Sequence, residues 1–360
     1  MQHVVIAGGG IIGAATAFYL SRRGVRTTVV ERRSVASGAS GKAAGLLSPP
    51  SPADLREPWG PLARLSLGLH FEVARLLDGR RHYGFEPIDM ALVAHDEGER
   101  QAIVAIYGTD AWLDSGRLRE QCTWPGDGAV GGVVRHGGAQ VFPGQLTATL
   151  LEAAGAQVVA GDVRSIAMYD DRAAGFELDG GSLEADAVVL AMGPWSAEAS
   201  GWLGMRIPVT PLKGQILRLK VPGAPPSGFT DVDGQYLVRK PGGVVYTGTT
   251  EEDAGFDETP TLEAERAILD WARANSPVIA NAEVVERTAC LRPLSADNVP
   301  IIGAVPGMPG AYLATGHGRK GLLLSLGTGK ALAALVIDGA SKDVDLAPFS
   351  PARFVAGAAR

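Results

Sequence analysis

Short apolar runs bounded by glycine alternate with longer segments of helical periodicity at the start of the chain. His3–Ala7 is almost wholly apolar and predicts a buried strand. Residues 11–23 carry apolar or small side chains every three or four positions, and Gly24 follows, which predicts a helix and its end. Residues 26–30 predict a second strand. The pattern therefore predicts a strand–helix–strand unit at the N-terminus.

The same two periodicities predict the remaining elements. Helical spacing predicts helices over 62–77, 98–107, 143–154, 262–275 and 322–337. Alternating or continuous apolar runs predict strands over 85–94, 131–134, 140–142, 157–159, 163–168, 186–191, 213–219, 235–239 and 244–248. The glycines near 136–139 predict a turn between two of these strands.

Glycines occupy the turn between the first predicted strand and helix. Gly8, Gly10 and Gly13 form the pattern G-x-G-x-x-G, which permits a tight turn, a close backbone approach to pyrophosphate and close helix packing. The helix N-terminus then offers N–H groups and the positive end of its dipole to the phosphates. Glu31 ends the second strand, where its carboxylate can accept hydrogen bonds from a ribose. These features predict a dinucleotide site rather than an ordinary glycine-rich turn.

Composition and charge exclude several other functions. The 33 basic and 39 acidic residues give a net charge of −6, which disfavours a nucleic-acid surface. Two cysteines cannot build a disulfide framework and no leader pattern is visible, which predicts a cytoplasmic protein. The sequence contains no apolar run of about 18 residues, so no membrane span is predicted. The six histidines are scattered, so no metal site is predicted. The acidic cluster within 251–258 predicts a solvated loop. The oligomeric state is left open.

A long basic segment with many small residues follows Glu31. Residues 32–45 read RRSVASGASGKAAG, and such a loop can follow FAD from its ribose to its ring system, whereas a nicotinamide dehydrogenase does not need it. Together with the glycine pattern and Glu31, this segment resembles the FAD-dependent amine and amino-acid oxidoreductases of the D-amino-acid oxidase superfamily. Members of that family include glycine oxidase, D-amino-acid dehydrogenase and sarcosine oxidase. The resemblance spans nearly the whole chain.

The resemblance implies an α/β fold in which a Rossmann-like FAD-binding domain is interleaved with an α+β substrate domain built on a mainly antiparallel sheet. The FAD-binding domain would take residues 1–84, 140–211 and 286–360, and the substrate domain would take 85–139 and 212–285. Non-covalent FAD is the implied cofactor. The implied FAD-binding residues are Gly8, Gly10, Ile11, Ile12, Gly13, Glu31, Arg32, Arg33, Ser40, Lys42, Ala43, Ala44, Gly45, Leu46, Val163, Ala191, Gly193, Trp195, Arg292, Gly318, Arg319, Lys320, Gly321 and Leu322.

Two segments resemble the part of the family that holds the substrate carboxylate. Residues 291–303 match the family's L-R-P and D-G-x-P-x-I-G stretches, and the resemblance assigns Arg292 to the carboxylate, which a guanidinium fork fits well. A structural arginine is the alternative. The resemblance likewise assigns the Tyr236 hydroxyl to the carboxylate, against the alternative of a half-buried strand tyrosine. Glycine oxidase has a histidine two residues earlier, where this chain has Gly234, so we expect a roomier or differently shaped pocket.

The loop 315–321 precedes the last predicted helix, and the resemblance places its backbone under the flavin. Arg319 is predicted to face the substrate, while His317 is equally well interpreted as a polar packing residue. Cys290 stands two residues before Arg292, similar to a cysteine of monomeric sarcosine oxidase that is bonded to the flavin methyl group. A covalent bond through Cys290 is therefore a minority alternative, and a small buried side chain is the main interpretation.

The resemblance implies FAD-dependent oxidation of a small amino acid or N-alkyl amino acid, of the glycine, D-amino acid or sarcosine type. Hydride transfer to flavin N5 would give an imine, and hydrolysis would give a 2-oxo acid or aldehyde. Arg292, Tyr236 and Arg319 are the implied catalytic residues. We favour an oxidase that uses O2, although Val244–Gly248 lacks the lysine that sarcosine oxidase uses for oxygen. The alternatives are a D-amino-acid dehydrogenase with another acceptor, a non-catalytic FAD-binding assembly protein, and an RNA-modifying flavoprotein, which the negative charge disfavours.

Overall fold

The computed structural model describes residues 1–224 and 228–355. In these ranges the α-helices span Ile11–Ser21, Ala39–Lys42, Gly60–Leu76, Gly79–Tyr83, Glu97–Tyr107, Ser115–Gln121, Pro143–Ala153, Ser200–Leu203, Leu262–Asn275 and Gly321–Asp338. Short 3-10 helices span Asp54–Arg56, Thr109–Ala111, Gly193–Ala199, Pro277–Ile279, Gly318–Lys320, Ala347–Phe349 and Pro351–Phe354. The elements pack around three β-sheets.

The first sheet contains the predicted N-terminal unit. In spatial order its strands are Ile301–Ala304, Ala311–Thr315, Ala187–Leu190, His3–Ala7, Arg26–Glu31 and Gln157–Ala160. All neighbouring strands are parallel except the first two, which are antiparallel. The first helix ends at Ser21 rather than at residue 23, because the following residues form tight turns that close on Leu20 and Ser21. The carboxyl ends of the parallel strands meet at one edge, where doubly wound folds bind ligands.

The second sheet is mainly antiparallel. In spatial order its strands are Glu283–Ser295, Val209–Lys220, Val244–Gly248, Tyr236–Arg239, Gly228–Thr230, Glu86–Ala94, Gly131–Gln140 and Leu46–Leu47, with Leu113–Asp114 also paired to Gly131–Gln140. Its single parallel contact joins Gly228–Thr230 to Glu86–Ala94. A parallel sheet beside a mainly antiparallel one confirms the predicted fold class.

The prediction of two separate strands at 131–134 and 140–142 is wrong. A single strand, Gly131–Gln140, runs through the predicted turn. Its register with Glu86–Ala94 shifts between Ile88 and Met90, and Gly137 has φ 79°. Glycine supplies the unusual backbone of a bulge as readily as that of a turn. The glycine signal was therefore real, but it marks an irregular strand.

The third sheet was missed from the sequence, apart from its first strand. It contains Val163–Tyr169, Arg172–Leu178 and Gly181–Glu184, joined as antiparallel hairpins. Two long strands of the second sheet, Val209–Lys220 and Glu283–Ser295, run through the domain boundaries expected after residues 211 and 285. The division into domains stays a prediction, and its residues 225–227 and 356–360 lie outside the described residues.

The last long helix is the centre of the largest hydrophobic cluster. Gly321–Asp338 packs against Ile11–Ser21 and Gly60–Leu76. A Cβ atom on Gly329 would lie 2.5 Å from the backbone carbon of Ala15, so glycine permits this close approach. The stretch Gly318–Asp338 has the length and composition to cross a membrane, but most of its side chains are buried in the protein, as in the core helix of a globular fold. This helix is therefore weak evidence for a membrane span.

Candidate active site

A cavity with about 880 Å³ of empty space lies at the carboxyl edge of the parallel sheet. The structure brings together at this cavity the following predicted FAD-binding residues: Gly8, Gly10, Ile11, Ile12, Glu31, Arg32, Arg33, Ser40, Val163, Ala191, Gly193 and Trp195. We call it the first cavity.

The glycine turn has the geometry that a bound pyrophosphate needs. Gly8 has φ 112°, and a Cβ atom there would lie 2.3 Å from the carbonyl oxygen of Ala191. Gly13 does not line the cavity; its α-carbon packs on Gly8, where a Cβ atom would lie 2.1 Å from the carbonyl oxygen. The Ile11 N–H at the helix N-terminus donates to Ser40 Oγ at 2.9 Å. No acidic residue stands in the first helical turn, so the positive end of the dipole is left for an anion.

Glu31 lies beside this helix N-terminus. Its Oε2 atom accepts from the Gly9 N–H at 2.8 Å, and Oε1 accepts from the Arg33 N–H at 2.8 Å. Each carboxylate oxygen can accept more than one hydrogen bond, so both retain capacity for a ribose hydroxyl. The glycine turn, the helix N-terminus and Glu31 together fit the dinucleotide half of FAD.

Trp195 forms an aromatic and cationic wall of the first cavity. The guanidinium carbons of Arg32 and Arg33 lie 4.3 and 4.7 Å from the centre of a Trp195 ring. Phe256 stacks on Trp195 with a centroid distance of 6.0 Å. Arg33 also donates to Glu258 at 2.6 Å. Trp195 thus contacts both arginines, Glu258 pairs with Arg33, and Glu198 pairs with Arg32 at 3.4 Å.

A second cavity adjoins the first and has about 990 Å³ of empty space. Ile11, Ala39, Ser40 and Pro293 line both cavities. The predicted residues that line the second cavity, besides Ile11 and Ser40, are Lys42, Ala43, Ala44, Gly45, Leu46, Tyr236, Arg292, Gly318, Arg319, Gly321 and Leu322. Lys320 lines neither cavity: its ammonium group lies 4.3 Å from the centre of a Trp59 ring. The adjoining cavities form one elongated site, as FAD with a substrate would require.

Arg292 is held rigidly in the wall of the second cavity. Only 13% of its side chain is exposed. Nη2 donates to Thr249 Oγ1 at 2.7 Å, and Nη1 donates to the Thr250 carbonyl oxygen at 3.2 Å. A Cβ atom on Gly214 would lie 2.3 Å from both terminal nitrogens, so the guanidinium rests directly on that glycine. A preorganised guanidinium of this kind suits a carboxylate ligand.

Tyr236 and Cys290 share this wall and are both buried. Burial raises the pKa of the Tyr236 hydroxyl, with Arg292 opposing the change, so the phenol stays a neutral hydrogen-bond donor. Burial also raises the pKa of the Cys290 thiol, which disfavours the reactive thiolate. Cys290 and Arg292 lie on one face of the same strand because side chains alternate along it.

Arg319 and Glu251 add a second guanidinium and a carboxylate at this end. Arg319 Nε donates to Glu251 Oε1, and the same oxygen lies 3.8 Å from Arg292 Nη1. The hydrogen bond from Arg319 lowers the pKa of the Glu251 carboxyl. A Cβ atom on Gly234 would lie 2.8 Å from Arg319 Nη1. The space beside Gly234 is thus partly filled by a guanidinium.

The acidic loop, residues 251–258, is largely exposed, as its charge pattern predicted, but several of its acids form ion pairs. Asp257 accepts from the buried Lys213 Nζ at 3.0 Å, and hydrogen bonds from Thr259 and Lys213 lower its pKa to about 2. Glu258 bonds to Arg33 and also to Lys42 at 3.4 Å. Because these partners come from distant parts of the chain, the charge run alone could not reveal them. The loop connects both cavities through ion pairs.

His317 and Lys240 are buried polar groups, of which His317 lines the first cavity and Lys240 lines neither cavity. His317 Nε2 lies 3.1 Å from Thr328 Oγ1, while its buried Nδ1 has no hydrogen-bond partner within the described ranges. Burial lowers the His317 pKa to about 3, so the ring is neutral. Lys240 Nζ donates to the carbonyl oxygens of Ala44 at 2.9 Å and Val141 at 2.8 Å. The sequence analysis missed this lysine, which fixes the backbone of the segment 43–46.

Other lining residues were also missed. Gly161 and Asp162 reach the first cavity directly after the strand Gln157–Ala160. Their position after a strand next to Arg26–Glu31 was a usable signal, because ligands bind at the carboxyl edge of such sheets. Ile216 reaches the second cavity through strand pairing that no local pattern indicates.

The described part of the chain contains no group of three His, Cys, Asp or Glu side chains arranged to hold a metal ion. The doubly wound sheet and the elongated site instead define a flavin-dependent oxidoreductase. The chain matches the family model described as FAD dependent oxidoreductase over residues 3–335, and it belongs to that family. FAD is therefore its cofactor, as the resemblance implied.

Individual relatives are similar to this chain over nearly its whole length. Glycine oxidase of Geobacillus kaustophilus is 33% identical, over 98% of this chain and 97% of the relative. Its crystal structure superposes with a TM-score of 0.90, covering 99% of this chain and 100% of that one. Glycine oxidase of Pseudomonas aeruginosa is 31% identical, over 98% and 99% of the two chains. The structure of iminodiacetate oxidase from Chelativorans sp. BNC1 is 27% identical, with a TM-score of 0.87 over 97% and 98%.

Proposed function

We propose that the chain oxidises the amine of a small amino acid or N-alkyl amino acid to an imine, which water then hydrolyses to a 2-oxo acid or aldehyde. The observation that carries the proposal is the second cavity. Arg292 and Tyr236 line it together with the segment 42–46 and with Gly321 and Leu322 of the last long helix. A guanidinium and a neutral phenol suit a carboxylate, whereas an apolar amine would need neither group.

Each group has a distinct part in this reaction. Bound FAD supplies the acceptor for the two electrons that leave the carbon bearing the nitrogen. Arg292 binds the carboxylate of the substrate, and the Tyr236 hydroxyl donates to the same group, so that the reacting carbon is held at a fixed depth. The N-terminus of Gly321–Asp338 stabilises negative charge that develops at its end of the cavity.

The proton balance follows from the same lining. No carboxylate or imidazole is found among the described residues that line the second cavity. The lining thus supplies neither of these general bases, and the hydrogen bond from Arg319 lowers the pKa of the Glu251 carboxyl, which makes that carboxylate a weak base. The substrate amine therefore enters in its neutral form. This requirement favours direct hydride transfer from the carbon that bears the nitrogen over prior abstraction of a proton from that carbon.

The relatives support the finer parts of the proposal. Two of them are named glycine oxidase and one iminodiacetate oxidase, and both substrates carry nitrogen on the carbon next to a carboxylate. We extend the oxidase activity, with O2 as acceptor, to this chain. A D-amino-acid dehydrogenase that uses another acceptor is the alternative. The proposal also keeps the cytoplasm as location and the predicted interleaved domains.

The test is anaerobic bleaching of the visible flavin absorption of the purified holoenzyme. The panel is glycine, sarcosine, D- and L-alanine, D- and L-proline and a bulky D-amino acid. Bleaching by one class establishes an amino-acid site, and admission of air then separates the acceptors, since an oxidase recovers its colour within a turnover. If no compound bleaches a flavin that dithionite still reduces, the proposal is refuted and the non-catalytic assembly protein is favoured.

A further inference from the structure

We propose that the preferred substrate carries a second carboxylate, which Arg319 binds while Arg292 binds the carboxylate next to the reacting carbon. This inference rests on the proposed function and deepens it by naming a substrate class. The shared chemistry is an amino acid with two carboxylates, the second placed either on the nitrogen substituent or on the side chain.

The charged side chains that line the second cavity are all basic, and their acidic partners lie outside its lining. Its charged lining residues in the described ranges are Lys42, Arg292 and Arg319, and none is acidic. Lys42 already pairs with Glu258 on the side of the first cavity. A substrate with one carboxylate, bound to Arg292, would leave Arg319 facing the cavity without a substrate anion. A substrate with two carboxylates would match both guanidinium groups.

The wall is shaped to admit Arg319. Gly234 stands two residues before Tyr236 and has φ 84°, and a Cβ atom there would lie 2.8 Å from Arg319 Nη1. A larger side chain at this position would strain the backbone and would displace the flexible end of Arg319. Arg319 Nη1 thus lies against Gly234, two residues before the tyrosine proposed to position the first carboxylate.

A carboxylate already occupies the position between the two arginines. Glu251 Oε1 accepts from Arg319 and lies 3.8 Å from Arg292 Nη1, so one anion contacts both guanidinium groups. The Glu251 side chain is 38% exposed, and ion pairs with this exposure are weak. A carboxylate of the substrate can replace that of Glu251 without leaving Arg319 unpaired. Glu251 thus acts as a stand-in for the second substrate carboxylate.

The experiment compares matched substrates in anaerobic flavin bleaching of the holoenzyme. Iminodiacetate is compared with sarcosine, and D- and L-aspartate with D- and L-alanine, so the arms separate a carboxylate on nitrogen from one on the side chain. In one arm, the dicarboxylate should half-saturate flavin bleaching at a concentration about tenfold lower than the matched monocarboxylate does. Arg319→Met should remove this preference by weakening the dicarboxylate more than the monocarboxylate, and Arg319→Lys should keep part of it because the charge remains.

Glu251→Gln gives a second test that leaves both arginines in place. It removes the competing carboxylate, so the dicarboxylate should half-saturate at a lower concentration than in the wild type, with FAD content as the check on folding. If monocarboxylates bleach the flavin as readily as dicarboxylates, or if Glu251→Gln leaves the dicarboxylate unaffected, the inference is overturned while the proposed function stands. If no amine bleaches the flavin, both are overturned.

Discussion

Replacement of Arg292 tests the proposed carboxylate site most directly. Arg292→Met keeps an unbranched side chain but removes a guanidinium that is 13% exposed and rests on Gly214. A hydrogen bond between charged groups contributes about 1.5–3 kcal/mol, so the half-saturating concentration of the amino acid should rise about 10- to 150-fold. Most of this effect should fall on binding, since Arg292 contacts the carboxylate and not the reacting carbon.

The assay is anaerobic rapid mixing with the best substrate, which separates half-saturation from the limiting rate of flavin reduction. Arg292→Lys keeps the charge without the fork and should recover part of the affinity. Arg23→Met is the matched control, because Arg23 is an exposed arginine that pairs with Asp338 and lines neither cavity. This control should leave both parameters at their wild-type values.

The result that refutes the reasoning is an Arg292→Met protein that retains FAD and binds the amino acid as tightly as the wild type. Arg292 would then be the structural arginine of the alternative interpretation, tying its strand to Thr249 and Thr250. A variant that loses FAD is assessed instead through Arg292→Lys, whose affinity must still fall below that of the wild type.

Three further predictions concern the cofactor and the buried groups. Gly8→Ala should lower the FAD content of the purified protein, because its Cβ atom would clash with Ala191; Gly24→Ala, at φ 76° with nothing within 4 Å, is the control that should retain FAD. Burial lowers the pKa of Lys240 from 10.5 to about 7, so the unfolded chain binds an extra proton between these values and stability rises with pH across this window. In Lys240→Met, the melting temperature should therefore rise less above pH 7 than it does in the wild type. An unchanged dependence of the melting temperature on pH would contradict the lowered pKa of Lys240. Acid precipitation should release FAD equally from the wild type and Cys290→Ser, whereas flavin retained only by the wild type would establish the covalent bond.

The parts of the fold set by local patterns could be predicted from the sequence. The first strand, helix and strand follow from apolar runs and the glycine pattern, with the helix end two residues early. Gly137 illustrates the limit, since a glycine marks a turn and a bulge alike. The hairpin of Arg172–Leu178 and Gly181–Glu184 carries its turn signal around Gly180 and could have been found.

The site divides in the same way. Segments with a sequence motif, such as the glycine turn, the residues 42–46 and Arg292, were named in advance and line the two cavities. Contacts made by residues far apart in the chain were not. The pairing of Glu251 with Arg319 and the position of Lys240 under Ala44 depend on tertiary packing. The role of a run of charged residues can therefore be inferred only when the structure shows which residues they contact.

The strand Glu283–Ser295 imposes a limit on how this site can diverge. Cys290 and Arg292 face the cavity while Leu291, 1% exposed, packs on the opposite face. The strand pairs with residues 209–218 in unbroken register from Glu286 to Ser295, so insertion or deletion of one residue between Glu286 and Cys290 would turn Leu291 toward the ligand and Arg292 into the core. Proteins descended from this fold can therefore change their substrate by substitutions on this strand, but not by adding or removing a single residue within this paired stretch.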